Sequence, residues 1–399
     1  MSLRVVHLHG CTTGRLVLIG DIHGCVDELR ALLTKVQFTN AAVRRRPSLL
    51  TSSSSSAPTS RPSSPAAAPA PLEEARRDGR MCVPAALMEG PLEDSDTAAP
   101  SPGAVVPPPV AAEGGEDVCV FVGDLVNKGP HSYEVVRCLR DIGAIGVLGN
   151  HDAVLLQVAE KLRAEVPLTD KERNSSLYPL AVDCPDDVFE FVASVPHVMR
   201  FHAYRLLVVH AGIDPSIPVA AQDIEAVTRM RNLAKVKQYR KQAVDAASGL
   251  PPHVALSVSA AFATLERPKF GKSWCATWSK LAGRLRGVGE GTREHGSSSD
   301  HSSGDEGEPA AGKEKKKKKI KTAATGAEKW RTRIHAEYAD VTIVFGHDAK
   351  RRLQVHPPYA YGLDSGCVTG DRLTALVWPD TLVSVPGWQG HTPLLSSSM

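Results

Sequence analysis

Long apolar runs are missing from this chain. No segment reaches the ~18 apolar residues that a membrane-spanning helix needs, and the opening MSLRVVHLHGCTTG lacks the unbroken apolar stretch of a secretory leader. Paired cysteine motifs are missing too. The eight cysteines are scattered without a C-x-x-C pair, so reduced and mostly buried thiols are expected rather than a disulfide framework. Charge of one sign is also scarce. With 47 basic and 44 acidic residues the net charge is +3, too little to imply nucleic-acid binding, and any basic partner surface must be local. Aromatic residues make up only 5%, and 29 Pro with 32 Gly place much of the length outside the core that a 42% hydrophobic content can build. These absences leave a soluble intracellular chain as the expectation, in the cytoplasm, with the nucleus left open by the block Lys315–Lys319.

What the chain has instead is a repeated ending. LVLIG runs into Asp21-Ile22-His23-Gly24, VCVFVG into Asp124, and IGVLG into Asn150-His151-Asp152; RLLVVH ends on His210, and VTIVFG runs into His347. Short β-branched and aromatic runs of this kind are buried strands. Helical stripes alternate with them, over Cys25–Val36, Ser132–Asp141, Asp152–Leu162 and Pro185–Val195. Strand and helix in alternation predict an α/β fold with parallel pairing, and in such sheets ligands collect at the carboxyl ends of strands. The basic segment Arg231–Gln242 reads as a further helix.

Two stretches change character. Residues 40–116 are rich in Ser, Pro and Ala, and residues 284–327 carry charge runs. Neither buries enough apolar surface to offset its ordering entropy, so both are expected to be disordered insertions. The donor-bearing endings on either side fit one site, so residues 1–39, 117–283 and 328–388 are expected to form one domain, with a tail over 389–399.

Asp21, His23, Asp124, Asn150, His210 and His347 combine carboxylate, imidazole and amide oxygen. That donor set suits a pair of divalent cations of intermediate hardness. Two such cations ~3.5–4 Å apart share one carboxylate and turn a bridging water into hydroxide at neutral pH, chemistry suited to in-line attack on phosphorus. Taken in order, these endings resemble the signature of the calcineurin-like metallophosphoesterases, and more narrowly the phosphoprotein phosphatases. Gly123–Pro130 (GDLVNKGP), Thr228–Arg231 (TRMR) and Leu363–Cys367 (LDSGC) resemble the bacterial diadenosine tetraphosphatases and their eukaryotic ApaH-like relatives.

The resemblance implies a two-sheet β core flanked by helices. It implies that Asp21 and His23 hold one metal, Asp124 bridges, and Asn150, His210 and His347 hold the other. Mn²⁺ is the first expectation, with Fe, Zn²⁺, Mg²⁺ or Co²⁺ compatible. His151 is implied as the general acid, and Lys128 with Arg231 (rather than Arg229) as the grip on phosphate. The implied substrates are dinucleoside tetraphosphates or the 5′ cap of RNA. No membrane partner is expected, and the insertions are where protein partners would dock.

One departure bears on the chemistry. Phosphoprotein phosphatases carry Asp-Arg where this chain has Asn127-Lys128. The missing acid supports a protonated catalytic histidine, so anhydride cleavage, with its stable leaving anion, is favoured over phosphoserine hydrolysis. Asp152 is the residue available to replace that acid. A Ser/Thr protein phosphatase, an endopolyphosphatase and a metal-free scaffold are the rival readings. Among the remaining residues, Asp348 is expected to be an exposed neighbour of His347, and Trp274 and Trp278 to be core rather than a base-stacking pair. His7 and His9 are expected at the surface or in a tail, and His202 has no assigned role.

Overall fold

The computed structural model describes residues 2–51, 80–88, 114–237, 239, 255–259, 261–267, 270–286 and 334–390. The expected disorder over 52–79, 89–113 and 287–327, residues 328–333 of the expected domain, and most of the expected tail lie outside the described residues. In chain order the strands begin β1 (Val5–Leu8), β2 (Leu16–Ile19), β3 (Val118–Phe121), β4 (Ile145–Gly146), β5 (Val198–Phe201), β6 (Leu206–Val209) and β7 (Asn232–Lys235). They continue β8 (Ala255–Val258), β9 (Phe262–Leu265), β10 (Lys272–Ser273), β11 (Thr342–Phe345), β12 (Gln354–His356), β13 (Ala360–Gly362), β14 (Arg372–Val377) and β15 (Thr381–Pro386).

Two sheets carry the core, a five-stranded one ordered β15-β14-β2-β3-β4 and a six-stranded one ordered β1-β5-β6-β11-β13-β12. The strands LVLI, VCVF, LLVV and TIVF are buried along their whole length, because both faces of each sheet are covered. Alternation then sorts their side chains. Leu16, Leu18 and Val120 meet Leu206, Val208 and Val344 between the sheets. Val17, Ile19, Cys119 and Phe121 face outward against the helices Val26–Lys35, Ser132–Asp141 and Asn150–Arg163. On the far side, Leu207, Val209, Ile343 and Phe345 pack on Trp274 and Trp278, both about fully buried. Each such apolar side chain withdrawn from water stabilises the fold by about 1.5–3 kcal/mol. The α/β two-sheet expectation holds.

Three local readings change. Arg231–Gln242 does not begin as a helix: Asn232–Lys235 is strand β7, paired antiparallel with β9 in a separate four-stranded sheet, β10-β7-β9-β8. Composition suggested helix there, but Leu233 and Ala234 are buried against strands that hydropathy alone did not reveal. The first insertion starts later than expected. Asn40 caps the helix Ala41–Arg45 by accepting the Val43 N–H at 3.1 Å, and a 3₁₀ turn spans Pro47–Leu50. Within the same insertion the helix Ala85–Met88 docks on the six-stranded sheet; Leu87 is fully buried and its carbonyl accepts the Gly10 N–H at 2.9 Å.

Candidate metal centre

Five donor segments meet where the carboxyl ends of β2, β3, β4, β6 and β11 converge. The turns that deliver them are tight. His23, Asp124, Asn127, Lys128 and His347 all have positive φ, between 48° and 74°. For residues other than glycine this costs about 1–3 kcal/mol each and persists only where the surroundings over-determine it. Here they do: the Ile22 and His23 N–H groups both donate to the Asp124 carbonyl, at 3.2 and 2.8 Å, zipping the two loops together. Glycine permits the close approach at two further points. A Cβ at Gly149 would overlap Asp124 Oδ1, and one at Gly346 would overlap Asp21 Oδ1.

Asp124 sits at the middle. Its Oδ2 lies 3.4 Å from His23 Nε2, and its Oδ1 lies 3.4 Å from His210 Nε2 while accepting the His151 N–H at 3.0 Å. His23 Nδ1 donates to the Val126 carbonyl at 3.1 Å and His210 Nδ1 to the Val122 carbonyl at 2.8 Å. Those bonds leave the Nε2 lone pairs pointing into the site, the usual outer support of a ligating histidine. His347 uses the other tautomer, its Nε2 bonded to the Arg229 carbonyl at 2.9 Å, which leaves Nδ1 free to ligate. Asn150 Oδ1 stands 3.2 Å from His210 Nε2, and Asp21 accepts the His347 N–H at 3.0 Å. Two groups of possible ligand atoms result, each within 4.8 Å, namely His23-Asp124-His151 and Asp124-His210-His347. Asp124 belongs to both.

The electrostatics fit a cation pair. Burial, reinforced by Asp364 and Asp124, pushes the Asp21 carboxyl well above the usual range, and burial also raises Asp364. Burial and the Asp124 charge raise Asp152 to about 7. Asp124 is the exception: against the effect of burial, His210 and His23 hold it well below the ordinary value. Burial lowers His23 to about 4 and also lowers His347, so both present neutral imidazoles. Crowded buried carboxylates beside neutral imidazoles with free lone pairs form a donor set for divalent cations. Lys128 Nζ, 2.8 Å from His23 Nε2, already places a positive charge against one of these lone pairs.

Every residue expected at the site is brought to it, but several neighbours behave differently from expectation. Asp348 is buried rather than exposed, because Arg351 bonds its Oδ2 and Arg231 Nε lies 3.8 Å from its Oδ1. Arg231 also donates to the His347 carbonyl at 3.3 Å. Asp152 does not partner His151; it accepts the N–H groups of Gly149 and Leu125, at 3.0 and 2.9 Å. The partner of His151 Nδ1 is Asn127 Nδ2, at 2.9 Å. Trp274 and Trp278 are core, Trp274 meeting Phe345 edge-on at 4.6 Å between centroids. Asp364 was not foreseen. It follows β13, whose pairing with β11 is prolonged by the Leu363 N–H to Phe345 carbonyl bond at 2.8 Å, so it lies in the same row as His347. The signal was available, since Ala360–Leu363 is another apolar run ending in an acid.

A family model described as calcineurin-like phosphoesterase matches residues 105–351. A symmetrical bis(5′-nucleosyl)-tetraphosphatase of Burkholderia mallei (strain SAVP1) is 31% identical over 268 residues, 64% of this chain and 78% of that protein. The protein of the same name from Stutzerimonas stutzeri (strain A1501) is 28% identical over 269 residues, 65% of this chain and 83% of its own. A crystal structure provisionally assigned as a diadenosine tetraphosphatase superposes with a TM-score of 0.53 at 28% identity, covering 97% of this chain and all of that one.

Proposed function

The chain belongs to the calcineurin-like phosphoesterases, which makes it a hydrolase, and from that premise we propose that it cleaves the phosphoanhydride of a dinucleoside polyphosphate. The observation that carries this reading is the contact between Asn127 and His151. Asn127 Oδ1 accepts the Lys128 N–H at 2.8 Å and Asn127 Nδ2 donates to Ser176 Oγ at 2.9 Å. Those two bonds fix the amide, so its NH₂ faces His151 Nδ1 and that nitrogen accepts. The proton of His151 therefore sits on Nε2. An imidazolium would set two donors against each other. Burial lowers the His151 pKa in the same direction, and Lys128, His210 and Arg229 add to it against the pull of Asp124.

A neutral histidine is a weak acid. A serine alkoxide leaving from phosphorus needs a proton, whereas a nucleotide leaving from an anhydride is already a stable anion. The site thus favours anhydrides over phosphoserine. Asp21 and His23 would hold one divalent cation, Asn150, His210 and His347 the other, and Asp124 would be shared. Bound there, Mn²⁺ or a related ion would supply a lowered pKa for a coordinated water and positive charge against the phosphate oxygens. Lys128, exposed at its loop, meets a phosphate chain as a point charge. Arg231 is held beside the site by Asp348 and offers its guanidinium to a second phosphate. His151 donates its Nε2–H as a hydrogen bond to the leaving oxygen. Among the described residues no helix is long and apolar enough to cross a membrane.

The test is a substrate panel with added Mn²⁺, comparing diadenosine tetraphosphate, capped RNA, long-chain polyphosphate and a phosphoserine peptide on wild type and Asp124→Asn. Diadenosine tetraphosphate cleavage that disappears in Asp124→Asn is expected. Preference for capped RNA or polyphosphate would move the substrate within the anhydride class, and preference for the phosphopeptide would overturn the reading.

A further inference from the structure

Three histidines gather at the opposite end of the six-stranded sheet. Strand β1 pairs in parallel with β5, setting His7 beside Arg200 and Leu8 beside Phe201, and the His202 N–H extends the ladder to the Leu8 carbonyl at 2.8 Å. His202 opens the turn from β5 into β6, whereas His210 closes β6 at the metal centre, so the length of the strand separates the two places. His7 Nδ1 lies 3.0 Å from His202 Nε2. The His9 ring stacks on that of His202 at 4.2 Å between centroids, with 11° between planes. Leu8 between them is fully buried, so His7 and His9 project to the same outer side of the chain.

We propose that His7, His9 and His202 form an additional site for a late first-row divalent cation such as Zn²⁺, which ties the edge strand β1 to β5. Two imidazole nitrogens on a tetrahedral zinc, each at ~2.0–2.1 Å, stand about 3.3 Å apart. The His7–His202 pair meets that bite with a shift of a few tenths of an ångström. His9, whose ring lies stacked 11° from that of His202, would supply the third imidazole by turning off the stack when the cation binds. Nitrogen donors without a carboxylate select zinc, nickel or copper over magnesium or manganese, which separates this site from the mixed oxygen and nitrogen set around Asp124. The His7 and His202 imidazoles are available at neutral pH: burial and then Arg200 lower His7, and burial with Arg200 and the other two histidines lowers His202 to about 4. Arg200 is the opposing charge at the site, but its guanidinium is drawn to the Glu337 carbonyl at 3.1 Å, and the Glu337 carboxylate favours a positive charge at His7.

The experiment loads the full chain with Zn²⁺, removes free metal, and counts bound zinc by elemental analysis. Wild type is compared with His7→Ala/His202→Ala and with Asp124→Asn. The double variant is expected to carry one zinc fewer than wild type, with Mn²⁺-supported hydrolysis of diadenosine tetraphosphate unchanged. Asp124→Asn is expected to keep the zinc at this site while losing hydrolysis. Equal zinc in wild type and the double variant would overturn the proposal. If that variant does not fold, His9→Gln at the half-exposed position takes its place, and an undiminished zinc count there overturns it equally.

Discussion

Asn127→Asp exchanges one side-chain atom group for another of the same shape and reverses the electrostatics at His151. In the wild-type chain the amide NH₂ meets Nδ1 at 2.9 Å, and burial already holds the imidazole below its ordinary pKa. A carboxylate in that place accepts an Nδ1–H and faces a charge in contact. An opposite charge so close favours the ionised form by about 1–3 pKa units, which is about 1.4–4 kcal/mol. That moves His151 from the neutral toward the protonated form. A competent general acid contributes about 10²–10⁴-fold where the leaving group needs a proton. The variant should therefore gain at least about tenfold on a phosphoserine peptide, with little change on diadenosine tetraphosphate. Histidine C–H resonances followed through a pH titration report the pKa directly. An unmoved or lowered His151 pKa, or equal changes on both substrates, would refute the reasoning.

Three further outcomes follow from particular contacts. Asp348→Asn removes the charge that holds Arg231 and Arg351, so KM for diadenosine tetraphosphate should rise by about 1.5–3 kcal/mol equivalent with a smaller change in kcat; steady-state kinetics would separate the two. Gly346→Ala drives a Cβ into the Asp21 carboxylate and should lower both bound metal and activity while far-ultraviolet dichroism stays native, which elemental analysis and dichroism on one sample would check. Asp187, paired with Arg137 and Arg140, has its carboxyl held down to about 2 from 3.8 by those hydrogen bonds, against burial. A depressed folded pKa stabilises above the unfolded value and is lost as pH falls, so thermal stability should decline between about pH 4 and 2, and Asp187→Asn should flatten that decline in a pH series of melting curves.

The donors at strand ends were legible because a buried strand that stops at a glycine must place its next side chain at the sheet edge. Asp21, Asp124 and His347 follow that rule, His210 directly continues its strand without a glycine, and the two sheets bring those edges together. What local sequence does not carry is who stands opposite whom. The burial of Asp348 depends on Arg231, more than a hundred residues earlier, and the orientation of Asn127 depends on Ser176. Asp152 had the composition to serve His151, but its place at the third position of the helix Asn150–Arg163 commits it to the Gly149 N–H. The strand β7 hid for a similar reason, since basic composition says little about a partner strand such as β9. Asp364 was missed although its signal was local: a short apolar run with an acid at its end, in a motif weighed only as a whole.

His151→Ala, measured on diadenosine tetraphosphate and on a phosphoserine peptide with the same Mn²⁺-loaded preparation, tests the central claim most directly. A neutral His151 that only hydrogen-bonds the leaving oxygen predicts a loss below about tenfold on the anhydride and a larger one on whatever phosphoserine activity exists, because only that leaving group depends on the proton. Equal losses on the two substrates would mean that His151 protonates both leaving groups alike, and the inference from Asn127 to an anhydride substrate would fail.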